Sequence, residues 1–224
     1  MRHKKCFRNN QQNRLSGLVS CVWIYALIYW IAIESKKEAT RKKAETPMLF
    51  DEVKECKTDY IALPVVSSEN RKYIPMDYLS KDIIAGNKLF MIPEATLYHF
   101  GILTSNVHMA WTRAVCGRLK SDYSYSNTVV YNNFPWPAPT EGQKAKIEKT
   151  AQAILDARAL YPDSSLADLY DELTMPPELR RAHQQNDKAV MEAYGFTKDT
   201  EAYKSESACV AELMKMYQVL AENK

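Results

Sequence analysis

Three prolines within five residues, Pro135, Pro137 and Pro139, interrupt this 224-residue chain between Asn132 and Thr140. No helix or sheet ladder runs through such a stretch, because each ring fixes φ and removes a backbone donor. The chain therefore reads as two regions with different patterns. Upstream, short β-rich runs alternate with buried helices; downstream, long amphipathic stripes dominate. Charge follows a related division: residues 1–46 carry 10 basic and 3 acidic groups, residues 47–137 carry 9 and 9, and residues 138–224 carry 11 and 15. The net +3 is thus the sum of +7, 0 and −4. That balance excludes a strongly basic arm gripping nucleic acid by charge alone. With 46% hydrophobic and 25% charged residues the sequence is globular, enough for one or two domains.

The basic excess belongs to the first segment. Arg2, Lys4, Lys5, Arg8 and Arg14 lead into an apolar run from Leu18 to Ile33 broken only by Ser20. Sixteen helical residues rise about 24 Å, short of a hydrocarbon core of roughly 30 Å. Trp23, Tyr25, Tyr29 and Trp30 also place interfacial side chains within the run rather than at its ends. Ala32-Ile33-Glu34 lacks the small-residue pattern of a signal-peptide cleavage site. Three readings stay open: a membrane segment, a buried element of a larger domain, or a stretch foreign to the rest of the chain. Residues 34–45, ESKKEATRKKAE, have no apolar stripe and read as a solvated helix or linker.

In the middle region, Tyr60–Val66, Arg71–Ile74, Lys88–Ile92 and Thr128–Tyr131 read as short strands, with Pro75 and Pro93 closing two of them. Leu97, Phe100, Gly101 and Leu103, then Val107, Ala110, Trp111, Ala114 and Val115, recur at helical spacing. This predicts one buried helix, or two joined near Ser105, with Gly117 as the stop. The stretch from Arg118 to Ser126 reads as a polar segment. Downstream, Thr140 with Gln143 forms a capping box ahead of a stripe of Ile147, Ala151, Ile154, Leu155 and Arg158, ended by Tyr161-Pro162. Pro176 and Pro177 open a second helix ending at Gly195, and Val210, Leu213, Met214, Tyr217, Leu220 and Ala221 mark a third. Three such stripes predict a small bundle. Its acidic balance suits packing or partner docking rather than phosphate contact.

Catalytic signatures are missing. The chain has no G-x-G-x-x-G, Walker, G-x-S-x-G or H-E-x-x-H pattern, and six glycines offer little material for a cofactor cradle. Five widely spaced cysteines form no C-x-x-C pair, and His99, His108 and His183 read as packing residues, not as a metal site. Glu52-x-Lys54 has no upstream Pro-Asp to complete a nuclease pattern. In Asn133-Phe134-Pro135-Trp136 a phenylalanine separates the asparagine and proline that would together hold a flipped amino base. Two polar loops do carry base-reading chemistry, Asn87-Lys88 and Lys120-x-Asp122-x-Ser124, with Tyr123, Tyr125 and Tyr131 expected to be displayed beside them. In an extended backbone Lys120, Asp122 and Ser124 share a side. Lysine donates to guanine and aspartate accepts from the cytosine amino group, so the pair suits one G·C pair. An exposed loop closed by a local salt bridge is the alternative.

The stretches Pro93–Trp111, Cys116–Ser126 and Val130–Pro137, with Ala157-Arg158-Ala159-Leu160-Tyr161-Pro162 and Leu166–Asp171 in the tail, closely resemble the MmeI-like family of single-chain restriction-modification enzymes. That resemblance implies an α+β chain: a partial mixed α/β target recognition domain over residues 34–137, then an all-α helical domain over 138–224. Residues 1–33 do not resemble the family, and a shifted reading frame supplying a new start is the expected origin of the junction. The resemblance implies sequence-specific binding of double-stranded DNA, with specificity set by Asn87, Lys88, Lys120, Asp122 and Ser124. Arg71, Lys72, Arg113 and Arg118 are candidates for phosphate contact or for loop bracing. Family members methylate adenine using S-adenosylmethionine, in a domain with no counterpart here. The chain is therefore expected to lack catalysis and any cofactor or metal site of its own, and to act in the bacterial cytoplasm with a methyltransferase body. A small membrane-tethered interaction protein, anchored by residues 18–33, is the alternative.

Overall fold

The computed structural model describes residues 27, 29–45 and 56–222, and the chain divides into two compact units, residues 1–54 and 55–224. In the first, residues 29–33 are helical with Trp30 and Ile31 exposed, and helix α1 spans Glu38–Ala44. It is the solvated helix its charges predict. Glu38 lies in the first turn and Arg41, Lys42 and Lys43 in the last, complementing the helix dipole, and Lys42 pairs with Glu38 at 3.1 Å. Most of the apolar run, residues 18–26 and 28, lies outside the described residues. Among the described residues no helix is long and apolar enough to cross a membrane.

The second unit begins with two small antiparallel sheets. Strand β1 (Tyr60–Pro64) lies between β3 (Asp77–Leu79) and β4 (Leu89–Pro93), with Ile61 opposite Tyr78 on one side and Ile92 on the other. Strand β2 (Val66–Ser67) leaves β1 after one residue and joins the other sheet. The single run expected from Tyr60 to Val66 is therefore two strands, broken where Pro64 ends the first ladder. Arg71–Ile74 is irregular, not a strand; the strand forms after Pro75, at Asp77–Leu79. Helices α2 (Leu97–Leu103) and α3 (Asn106–Val115) meet at Ser105, whose hydroxyl caps α3 by accepting from the His108 N–H at 3.3 Å. The His99 ring starts α2 by accepting from the Thr96 N–H at 3.1 Å. Phe100, Ile102 and Leu103 are fully buried, each contributing on the order of 2 kcal/mol.

Gly117 does not stop a helix. It opens β5 (Gly117–Leu119), which turns back as β6 (Asp122–Ser124), and the second sheet has the order β2-β6-β5. The segment after it is not the expected strand either. Residues Asn127–Tyr131 form a π-helical turn, closed by the Asn132 N–H bonding Asn127 O at 2.8 Å. Tertiary contacts override the β-branched pattern here, because the indole N–H of Trp111 donates to Val130 O at 3.0 Å. The Asn133 amide donates to the carbonyls of Thr128 and Val129, and Phe134 is buried, so this segment is structural.

Three long helices follow the proline block, two of them bounded by the start and stop residues read from the sequence. Helix α4 (Glu141–Ala159) starts with the Thr140–Gln143 box; after the short α5 (Leu166–Leu169), α6 (Pro177–Ala193) starts on Pro177 and ends at Gly195, whose φ of 73° suits glycine. The short α7 (Glu201–Lys204) precedes α8 (Glu206–Glu222). These helices do not bury their stripes only against one another: α4 packs on α6 and also on α2, and α8 packs on α3. A Cβ at Gly101 would lie 2.6 Å from Ile147 Cγ2, so α2 and α4 approach this closely only over a glycine.

Buried polar groups tie the two regions. Arg158, 8% exposed, donates to Met76 O at 2.8 Å and to the Tyr170 hydroxyl, and stands 3.5 Å from Asp77. Asp187 accepts from the Tyr73 hydroxyl at 2.6 Å and from the Asn106 N–H, at the start of α3, at 2.8 Å. The Asn186 amide donates to Gly101 O at 2.7 Å. Two of the expected packing histidines sit in this core: His183 stacks on Tyr73 at 4.1 Å, and His108 shares a hydrogen bond with the Tyr125 hydroxyl at 3.0 Å.

Candidate nucleic-acid interface

Two loops separated by more than thirty residues in sequence meet through one backbone unit. Asn87 and Lys88 are the central residues of a tight turn, closed by the Leu89 N–H bonding Gly86 O at 3.1 Å. The Val65 N–H then donates to Lys88 O at 3.0 Å, while Val65 O accepts from the Tyr125 N–H, next to β6, at 2.8 Å. Val65 is the residue between β1 and β2, so the switch of the chain from one sheet to the other joins the turn to the hairpin. Its role was not visible in the sequence. The only local sign was Pro64, which ends a ladder and frees the next residue to change partners.

The β5–β6 hairpin places its residues on two sides. Register sets Arg118 opposite Tyr123 and Ser67 opposite Tyr123 on the inner side, with Tyr123 and Ser67 buried. Val66 opposite Ser124 and Leu119 opposite Asp122 form the outer side. Asp122 and Ser124 therefore do share a side, half-buried in their own sheet. Lys120 does not extend that alternation. It is the first residue of the two-residue turn Lys120-Ser121, with a left-handed φ of 57°. Primed hairpin turns require that φ, but they favour glycine, asparagine or aspartate there, so a lysine holds the turn at a conformational cost.

The aromatic residues expected beside these loops are mostly inside. Tyr123 and Tyr125 are 4% and 3% exposed and belong to the core, with Tyr131 half-buried; no aromatic platform is displayed by the first two. Burial pushes the Tyr125 hydroxyl far above its usual range. The pleat explains this: a tyrosine between Asp122 and Ser124 faces the other side of the sheet.

Asn87, Lys88 and Lys120 are exposed, and among the described residues their side chains, like that of Ser124, have no hydrogen bond or ion pair. Asp122 accepts only a long bond, 3.4 Å, from the Glu69 N–H, and no ion pair joins it to Lys120. The local salt bridge that would make this an ordinary loop is absent. The arginines differ. Arg118 lies 4.1 Å over the Tyr123 ring and donates to Ser121 O at 3.0 Å, bracing the hairpin. Arg113 pairs with Glu206 at 2.9 Å and donates to Lys72 O at 3.3 Å, bracing α3, α8 and the loop before β3. Arg71 is half-buried, and Lys72 is exposed with its ammonium 5.6 Å from the Tyr73 ring. Among the described residues, no group of His, Cys, Asp and Glu is arranged to hold a metal ion.

Comparison with known proteins matches most of this chain. DNA methyltransferase A of Bacillus subtilis (strain 168) is 40% identical over 189 residues, which are 84% of this chain and 21% of that protein. A solved structure of the Type IIL restriction-modification enzyme MmeI in complex with DNA superposes with a TM-score of 0.79 at 42% identity, covering 90% of this chain and 26% of that one. This chain thus spans about a fifth to a quarter of the length of these relatives. The MmeI target recognition domain matches residues 30–138 and the MmeI C-terminal domain matches residues 139–223, and with both in their expected order the chain belongs to the MmeI family.

Proposed function

We propose that this chain is the sequence-reading portion of a site-specific adenine DNA methyltransferase of the restriction-modification kind, and that it supplies no catalytic group. The observation that carries this reading is the union of the Asn87-Lys88 turn and the β5–β6 hairpin through Val65, which presents unpartnered polar side chains on one connected surface. Lys120 donates to guanine O6 and N7 and Asp122 accepts from the cytosine amino group of the same pair; Asn87, Lys88 and Ser124 read neighbouring positions. Arg71 and Lys72 serve the phosphate backbone, while Arg113 and Arg118 act through the bracing contacts already described. The net charge of residues 47–137 is zero, so affinity rests on a few placed groups.

Methyl transfer and S-adenosylmethionine binding belong to a methyltransferase body acting with this chain in the bacterial cytoplasm. Among the described residues, the half-open cleft of about 300 Å³ lined by Phe90, Tyr125, Tyr131 and asparagines 127 and 132 has no carboxylate for the ribose hydroxyls of that cofactor. Gel-shift titration against a panel of duplexes at low salt tests the reading. A preference of at least tenfold for one sequence is expected, and exchange of Lys120 and Asp122 (K120D/D122K) should reverse the preferred orientation of one G·C pair. Equal binding to every duplex would remove the specificity function, and a preference untouched by the exchange would remove these two residues from it.

A further inference from the structure

The outer side of the second sheet carries more than the polar readers. Leu119 is directly opposite Asp122, and Val66 is directly opposite Ser124. Directly opposed side chains in an antiparallel pair stand about 5 Å apart at Cβ, so each polar reader has an apolar companion. Leu119 is 58% exposed and Val66 38%. Neither is part of the core, whose contribution from this hairpin comes through Tyr123 on the opposite side. Isolated exposed apolar residues are ordinary. Two of them in register with two candidate base readers, on a face that also ends at Lys120, are a patterned surface.

We propose that Leu119, supported by Val66, is a specificity determinant that reads the C5 edge of pyrimidines by touching the thymine methyl group. This inference rests on the DNA-reading function proposed above and extends it to residues with no hydrogen-bonding capacity. The chemistry follows from the base. On the major-groove edge of a pyrimidine, C5 is the ring atom next to C4, which bears the amino group of cytosine or the oxygen of thymine. A side chain 5 Å beside an aspartate that reaches the C4 substituent falls over C5 of that base or of its stacked neighbour. The only apolar feature a duplex presents there is the thymine methyl group. Leucine covers it without competing for the donors and acceptors that Asp122 and Ser124 engage. The structure recorded for MmeI itself contains DNA, and the match covers 90% of this chain, which favours a duplex over a second protein as the occupant of this face.

The test uses the full chain and a randomised duplex pool, selected once for the preferred site and then resynthesised with deoxyuridine in place of each thymidine in turn. Loss of one methyl contact is expected to weaken binding about threefold to fivefold at one position and not at the others. Leu119→Ala should lower affinity for the thymidine duplex by a similar factor and abolish the difference between thymidine and deoxyuridine there; Leu119→Met should restore most of it. Leu119 is exposed, so Ala at this position leaves the circular dichroism spectrum unchanged, and a variant with altered spectrum is replaced by Leu119→Thr. A selected site bound equally with and without every methyl, or a methyl effect that persists in Leu119→Ala, overturns the role of Leu119 while leaving DNA reading intact. No enrichment of any sequence by the unaltered chain overturns both.

Discussion

Polar side chains are used in opposite ways at the joint between the two regions and on the outer side of the second sheet. At the joint, Arg158, Asn186 and Asp187 reach across from the helical tail and spend their donors and acceptors on Met76 O, Gly101 O, the Tyr73 hydroxyl and the Asn106 N–H. On the sheet, Lys120, Asp122 and Ser124 make almost nothing of theirs, and the backbone holds an unfavourable φ at Lys120. The first arrangement fixes the second. Tyr73 and Met76 belong to the chain between β2 and β3, so anchoring them to α4 and α6 sets the base from which β2 and its sheet project. A surface that has to meet a ligand with sub-ångström tolerance needs such a rigid support.

The largest effect should come from breaking the joint. Arg158→Met removes the charge that faces Asp77, leaves Met76 O without its side-chain donor and takes one of two partners from the Tyr170 hydroxyl, which keeps His183, inside a protein interior. A loss of about 3 to 5 kcal/mol is expected in urea unfolding, as a lower midpoint with unchanged slope. A loss under about 1 kcal/mol would mean that the joint contributes no more than a surface pair, and the contrast between the two regions would fail on its stronger side.

Acid probes the same joint without mutation. Burial drives His108 down to about 4 and His183 to about 3, so both are neutral when folded and must charge on unfolding below their ordinary value of 6.5. Their contribution is complete above pH 6.5, is lost progressively as pH falls below that value, and is gone once pH has passed about 4 and 3 respectively. Asp187 acts in the other direction: burial raises it to about 6, so its contribution is complete below 3.8 and is lost as pH rises through 6. Two groups outweigh one, and stability should drop by about 3 kcal/mol between pH 7 and pH 4.5. His183→Gln should flatten that dependence. A midpoint independent of pH across this range would show that the histidines are not held neutral by the fold.

The helical half of this joint could be read from the sequence, and the sheet half could not. Thr140 with Gln143, Pro177 and Gly195 act within a single turn of chain, so local residues suffice to place α4 and α6. The strands are short and decided by distant partners. Asp77–Leu79 is a strand because β1 lies beside it, and Thr128–Tyr131 is not one because Trp111 claims Val130 O. Among the candidate readers, Asp122 and Ser124 were legible through alternation. The placement of Lys120 was missed because a left-handed lysine is the rarer choice at a position that glycine fills easily. Arg113 and Arg118 looked interchangeable with Arg71 and Lys72 as cations, and only their partners, Glu206 and the Tyr123 ring, distinguish them.

The smallest effect is the most diagnostic of the exposed side. At Lys120, glycine would relieve a left-handed conformation that costs a residue with a Cβ about 1 to 2 kcal/mol, and would give back part of that through the greater freedom of the unfolded chain. Lys120→Gly should therefore raise stability by about 0.5 to 1 kcal/mol, while lowering discrimination at the G·C pair assigned to Lys120 and Asp122 by tenfold or more. Opposite signs in the urea midpoint and in the duplex titration are the signature of a position kept for recognition at the expense of the fold. If stability falls instead, the lysine is a structural part of the hairpin, as Arg118 is. The outer sheet would then be no more specialised than the joint that supports it.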